Sequence, residues 1–268
     1  MKDTIKVMLQ YYKMEHKHNM QFPVASVINI LAVLLRESTS IWVIYLTLSR
    51  FGHINDWNMD EMFFLFSLLF LTYSGVVMLF ADMRDFSQFV RDGKFDRIMV
   101  RPQGLMIQLI SSHADGTAAL GHGCLGIILF VISANKVGII WNVKNILYYI
   151  FTILGGILIQ GAVFIFFSAL CFYLIEVRNI KDILYWNTRK FAGYPISIFN
   201  KGIQFVMIYL VPFAFVNYFP AQYLLRKEDM AAYPQIYMYI APFVGIVLYG
   251  AAYLFWRYSV RYYVSTGN

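Results

Sequence analysis

Long apolar stretches separated by short polar segments form the dominant pattern along this sequence. A helix that crosses a bilayer needs about 20 mostly apolar residues. Uncharged runs of that length occur at five places, and a further run, 22–49, is apolar except for Arg36 and Glu37 near its middle. The pattern therefore predicts six transmembrane helices, over approximately 22–49, 62–81, 116–135, 146–172, 196–217 and 236–256.

The composition agrees with this reading. Hydrophobic residues make up 59% of the chain, charged residues only 14%, and the mean hydropathy is +0.57. A soluble domain of this length carries far more charge on its surface. We therefore expect an all-α integral membrane protein.

The basic residues are unevenly distributed, and their distribution predicts the orientation. Most of the 22 Lys and Arg residues fall in segments 1–21, 82–104, 176–195 and 257–268. Cytoplasmic loops carry such an excess. We expect these segments and both termini to be cytoplasmic, in a plasma-membrane protein. The net charge of +7 is then topological, and nucleic acid is not an expected partner.

Two regions outside the predicted spans have patterns of their own. Segment 1–21 alternates apolar and basic positions at helical spacing, which is typical of a helix lying in the membrane interface; a solvated lead-in to the first span remains the alternative. In "YLVPFAFVNYFPAQYLL" (209–225), Pro212 and Pro220 interrupt the run. Because the second half is too short to cross again, a re-entrant extracellular segment is expected there, with Pro212, Asn217 and Pro220 as its gate.

The adjacent pair Arg36–Glu37 is the main candidate for intramembrane chemistry. Neighbouring residues on a helix point about 100° apart, so the two charges cannot simply neutralise each other face to face. Charges at membrane depth usually face protein or water. The pair either lines a cavity or dimer interface, or belongs to a short or broken span and snorkels to its boundary.

Signatures of catalysis are missing. The sequence has no GxxxxGK[ST] phosphate loop, no HExxH and no GxSxG. His113, Asp115 and His122 form the nearest metal-like group, but their spacing does not suit one helical face. Cys124 and Cys171 lie in apolar runs without ligand spacing, as buried apolar residues do. We expect no catalytic, metal or cofactor residue in this chain.

Four segments together resemble the permease subunits of ABC-2-type exporters, in particular a six-span group linked to antibiotic or viologen export. In that family a Gly-x-x-Asp-x-x-x-x-Arg-Pro segment follows the second span, and Gly93, Asp96, Arg101 and Pro102 match it. The resemblance extends over nearly the whole chain. The segments that carry it are "RDGKFDRIMVRPQ" (91–103), "YPISIF" (194–199), "PFAFVNYFPAQYLL" (212–225) and "RYSVRYYVSTG" (257–267).

The resemblance implies a type V-like fold and a division of labour. Such permeases place a short cytoplasmic helix after span two against a separate ATPase, which binds the ATP and magnesium. On this basis Phe86, Phe89, Val90 and Phe95 would fill a groove of the ATPase, while Asp85, Arg91, Lys94 and Arg97 would set the register. The residues expected to couple the two subunits are Arg84, Phe86, Phe89, Arg91, Gly93, Asp96, Arg97, Arg101 and Pro102.

The expected function is export of an amphipathic or hydrophobic substrate by a pair of permeases, identical or similar, with two ATPase subunits and surrounding membrane lipids as partners. The aromatic content would also suit cationic organic cargo through cation–π contact. Two alternatives remain: a membrane-embedded enzyme acting on lipid-like substrates, which would need convergent acidic or histidine residues, and an ion-coupled carrier, for which only Glu37 qualifies as an acidic residue within a span.

Overall fold

Helices make up the regular structure of the protein, here a computed structural model. Within the described part of the chain no strand forms beyond an isolated bridge between Ile54 and Trp57, so the expected all-α class is confirmed. The interface helix predicted over 1–21 falls almost entirely outside the described residues. These are 10–11, 13–14, 17, 21–111, 113–174, 177–227 and 233–265.

Eight helical elements of the described chain form a bundle. Five of them, α1 to α4 and α8, are long and apolar enough to cross a membrane, and α6 with α7 makes a sixth candidate if the bent pair is one span. A connecting segment, residues 81–111, joins α2 to α3 through four short helices. The elements are α1 Pro23–Phe51, α2 Met59–Leu79, α3 Gly116–Ala134, α4 Val143–Leu170, α5 177–191, α6 Lys201–Leu210, α7 Phe213–Leu225 and α8 Ile236–Ser259.

Polar caps explain where the spanning helices begin. Asn58 accepts a hydrogen bond from the Glu61 amide, and the Glu61 side chain accepts one from the Asn58 amide, so α2 starts with a capping box. Asp115 and Asn142 cap α3 and α4 with a single bond each, which their side chains accept from the amides of Ala118 and Asn145. Hydropathy alone starts α2 and α4 about one turn too late, because the first turn of each helix is polar.

The densest packing joins α4 to α8. A side chain at Gly155 would overlap with the carbonyl oxygen of Pro242, and one at Gly245 would overlap with the carbonyl oxygen of Gly155. Small residues of this kind let helix backbones approach closely in a membrane, where apolar burial gives helices little reason to associate. The two glycines therefore set the distance between these helices.

Contacts define two ends of the bundle. One end, which we call the hairpin end after the bent pair α6–α7, contains the starts of α2, α4 and α8. There the Tyr148 hydroxyl near the start of α4 donates to the Met238 carbonyl near the start of α8, and Lys136 after α3 pairs with Asp60 at the start of α2. At the short-helix end, the connecting segment packs below the last turns of α2 and α4, where Ser168 donates to the Met83 carbonyl.

The predicted fifth span, 196–217, is not a continuous helix. Helix α6 has ten residues, about 15 Å, which is too short to cross a bilayer alone, and the chain then bends by 71° into α7. Gln204 near the start of α6 contacts Tyr233, and Lys227 just after α7 contacts Glu61. Since both partners lie at the hairpin end, the start of α6 and the end of α7 have contacts at the same end of the bundle, and we call this bent pair the hairpin.

Helix α5 crosses the interior instead, which corrects the expectation that 176–195 is a cytoplasmic loop. Lys181 donates to the Arg84 carbonyl at the short-helix end, and the carbonyl of Ala192, just after α5, accepts a bond from Asn217 in the hairpin. Tyr185 between them is fully buried. The sequence pattern predicts a short amphipathic helix here but places it in the loop, because its charged residues lower the mean hydropathy. The bundle provides partners for two of these residues, Lys181 and Arg189.

Candidate functional site

The connecting segment contains all of the residues predicted to couple with an ATPase. Helices Phe86–Arg91 and Lys94–Met99 meet at Gly93, whose φ of +64° lies in the left-handed region that favours glycine. This turn folds the two short helices against each other. The glycine of the resembling motif thus has a backbone role.

An aromatic cluster fixes the segment to the bundle. Phe86 and Phe95 are buried, with ring centroids 5.3 Å apart, and Phe95 lies 4.9 Å from the ring of Tyr263 and 5.7 Å from that of Phe172. The expectation that these two phenylalanines fill a groove of a partner is therefore wrong for this conformation. Phe89 and Val90 are half-buried, so part of their surface stays available.

Two further coupling candidates bind other elements of the same chain. Asp96 accepts hydrogen bonds from the Tyr263 hydroxyl at 2.9 Å and the Ser265 hydroxyl at 3.0 Å. Arg84 is half-buried, 3.4 Å from Asp85 and 3.8 Å from Asp115 at the start of α3. These side chains attach the segment to neighbouring elements rather than presenting it to a partner.

The outward face of the segment is basic. Arg91, Arg97, Arg101 and Pro102 are exposed, as are the apolar side chains of Met99 and Val100. Lys94, 3.1 Å from Asp92, hydrogen-bonds that carboxyl group and lowers its pKa, so Asp92 stays ionised. We define the basic face by Arg91, Lys94, Arg97, Met99, Val100 and Arg101.

The second site is a buried charge cluster formed by Arg36, Glu37, His122 and Arg189. Glu37 is buried, and its Oε1 lies 3.3 Å from both Arg36 Nη2 and His122 Nε2. Its Oε2 lies 3.5 Å from Arg189 Nη1 and from Nη2. Arg36 and Glu37 thus contact each other directly, which corrects the expectation that neighbouring positions on the helix keep the two charges apart. The carboxylate is shared among three cationic or titratable groups on α1, α3 and α5.

Aromatic rings complete the cluster. The Arg189 guanidinium carbon lies 4.2 Å from the centre of the Tyr73 ring, a cation–π distance, and the His122 ring meets the same tyrosine edge-on at 4.7 Å. His122 Nδ1 lies 2.8 Å from the Ala118 carbonyl oxygen, so that nitrogen carries a proton. The cluster links α1, α2, α3 and α5 through polar contacts.

Sequence reasoning missed His122 and Arg189 as partners of Glu37. His122 stands in an otherwise uncharged run, and a buried polar ring requires a partner; that signal was present but did not identify Glu37. Arg189 was assigned to a loop. Among the described residues no group of three or more His, Cys, Asp or Glu side chains could hold a metal ion.

The predicted gate residues lie inside the hairpin and are buried. Pro212 is at the bend between α6 and α7, where its missing N–H suits a helix break. Asn217 is fully buried, and its amide donates to the carbonyls of Ala192 at 2.6 Å and Leu65 at 3.4 Å. Pro220 lies in the first turns of α7. Asn217 thus connects the hairpin to α2 and to the end of α5.

A groove opens on the side of the bundle near the short-helix end. It has a volume of about 850 Å³ and lies between the start of α1, the end of α2 and α3. Its lining is mainly apolar and includes Val27, Ile30, Leu71, Met78 and Ile127.

Comparison with known proteins gives one match. Residues 34–267 match the family described as ABC-2 family transporter protein. No curated protein and no solved structure matches the chain.

Proposed function

Since the chain belongs to the ABC-2 family of transporter proteins, we propose that it forms, with a second permease, the export pathway for an amphipathic or hydrophobic substrate. Membership makes the chain a permease subunit of an ABC transporter, a multi-pass membrane protein whose partner is an ABC ATPase. Export follows from the resemblance of segments such as 91–103 to exporter permeases. The lateral groove, open along an apolar wall, supports a substrate that enters from the membrane.

The coupling proposal rests on one observation: the connecting segment is bonded to the bundle on its inner side and exposes the basic face on its outer side. Its inner side is held by Lys181 of α5, which bonds the Arg84 carbonyl and lies 3.4 Å from Asp85, and by the Asp96–Tyr263 bond. Its outer side is the basic face. A push on the basic face therefore moves α5 and the end of α8, which is what a permease driven by ATP hydrolysis on another subunit needs.

Adjacent residues supply a matched test. We expect Arg97→Glu, on the basic face, to change stability by less than about 0.5 kcal/mol, as exposed substitutions usually do. It should lower co-purification of the ATPase and ATP-driven transport severalfold, since interface contacts of this kind can cost about 2 kcal/mol. Asp96→Asn should instead lower the melting temperature, because it weakens the bonds to Tyr263 and Ser265. Unchanged ATPase association in Arg97→Glu would contradict coupling through this face.

The basic face also supports an orientation, with the short-helix end in the cytoplasm of a plasma-membrane protein. Single cysteines at His53 and Gln103, both exposed and at opposite ends, test it in a chain carrying Cys124→Ala and Cys171→Ala. In intact cells an impermeant maleimide should label position 53, and position 103 only after lysis. The reverse pattern would overturn the orientation and the coupling proposal together.

A further inference from the structure

The charge cluster holds more positive than negative charge. Glu37 is the carboxylate shared by Arg36 and Arg189, and within the described chain neither guanidinium pairs with a second acid. Two guanidiniums against one carboxylate leave at least one positive charge, before His122 is counted. Arg189 Nε, moreover, is buried without a hydrogen-bond acceptor among the described atoms. Such a surplus inside a bundle calls for an anion or water.

The excess positive charge lies well inside the spanning helices, not at their ends. His122 is six residues, about 9 Å, beyond the start of α3, and Tyr73 is six residues before the end of α2. Arg36 also does not extend away from this level, because its Nε and Nη2 both lie 3.3 Å from Glu37 Oε1. Helix α1 continues unbroken from Pro23 to Phe51. The snorkelling alternative, which required a short or broken span, is therefore not supported.

Arg36 nevertheless has 66% of its side chain exposed. On α1 it falls in a polar stripe with Asn29, Ser40 and Thr47, which lie within about 40° of one another around the helix axis. The centre of this stripe is about 60° to one side of Ile44 on the buried face. Arg36 and Ser40 are exposed, Thr47 is half-buried, and Asn29 donates to Thr117 of α3. Polar groups at membrane depth usually face protein or a water-filled passage.

We propose that Arg36 binds the anionic headgroup of an amphiphile in the passage lined by this stripe. The proposal rests on the permease function above. It narrows the substrate class to anionic amphiphiles, whereas the aromatic content had suggested cationic cargo. A second copy facing the same stripe would not offer a free Glu37 carboxylate, because in each copy that carboxylate is already shared with Arg36, His122 and Arg189. Two copies facing each other would double the positive charge of the passage.

Two single-chain amphiphiles of opposite charge test the site. Binding of radiolabelled dodecyl phosphate and dodecyltrimethylammonium is measured on the full chain in phosphatidylcholine nanodiscs, with empty nanodiscs subtracted. We expect the phosphate to bind about tenfold more tightly, the effect of one charge-assisted hydrogen bond. Arg36→Gln should remove that preference and Arg36→Lys should keep most of it. Arg50→Gln, on the same helix about 21 Å away, should leave it unchanged.

The outcomes separate the possible sources of the anion. If phosphatidylglycerol in the nanodisc displaces dodecyl phosphate and ATP turnover releases neither, the site holds a resident anionic lipid; if ATP turnover in proteoliposomes moves dodecyl phosphate, the anion is cargo. Both results support the site. Equal affinity for the two probes, or an unchanged preference in Arg36→Gln of normal size and helicity, overturns it. Since binding needs no ATPase, failure of transport alone would count against the permease proposal and not against the site.

Discussion

Helix α1 and the α4–α8 pair are attached to the bundle in opposite ways. In its most apolar window α1 is 17% buried, against 56% for α4 and 22% for α8. The α4–α8 contact is made by backbones that meet at Gly155 and Gly245, whereas α1 contributes four buried residues, Val33, Glu37, Ile44 and Leu48, and one of them is a carboxylate. Shape complementarity joins the pair, and charge contributes much of what fixes α1. A helix fixed by charge can be released by changing that charge, and α1 is therefore the element best suited to move.

The largest expected effect comes from Glu37→Gln. The change leaves Arg36, Arg189 and His122 without their shared carboxylate, and removing one partner of a buried ionic group costs about 3 kcal/mol or more. We expect a clear fall in the apparent free energy of unfolding in mixed micelles, with α1 becoming sensitive to proteolysis before the rest of the bundle. Stability equal to the wild type would show that α1 is held by its apolar contacts.

A smaller loss is expected from Gly245→Ala, which tests the other half of the comparison. The added methyl group meets the Gly155 carbonyl oxygen and must separate the backbones, a strain of about 2 kcal/mol. Gly250→Ala on the same helix is the matched control, because a methyl group there meets nothing within 4 Å. Equal melting temperatures for the two variants would mean that α4 and α8 are not in close contact.

The smallest expected effect belongs to Tyr185→Phe in α5. Its hydroxyl donates to Gln160 Oε1 at 2.9 Å, and Gln160 in turn donates to Thr72 at 3.0 Å, so one buried bond of the chain is lost. A change of about 1 kcal/mol is typical of such a deletion. The same denaturant titration measures this change in the free energy of unfolding. A loss of stability as large as that of Glu37→Gln would mean that α5, like α1, is held mainly by charge.

The sequence predicted the apolar helices well and the polar interior poorly. Span three, predicted over 116–135, is found over Gly116–Ala134, since an uncharged run between polar caps leaves little choice. Segment 176–195 predicted a short amphipathic helix but not its position inside the bundle, because Asp182, Arg189 and Lys190 resemble loop residues when their partners are unknown. Those partners are distant in sequence: Arg189 meets Glu37 across 152 positions. Hydropathy is a local quantity and does not contain such pairings.

The predicted coupling residues divide in a similar way. The motif located the connecting segment, and the charges that it singled out at Arg97 and Arg101 are exposed. Which aromatic residues face outward depended on the packing of Phe86 and Phe95 against Phe172 and Tyr263, residues that come much later in the chain. Pattern alone could not separate anchoring residues from contact residues.

The bond between Asp96 and Tyr263 can form only late in the synthesis of the chain. A ribosome makes Asp96 first and must add 167 further residues before the tyrosine exists. At about 5–20 residues per second, the interval is roughly 8 to 33 s. For most of that interval the basic face has left the ribosome but lacks its final attachment. An ATPase that requires the fixed geometry would thus engage finished chains in preference to nascent ones, and assembly of the transporter would include its own check for completeness.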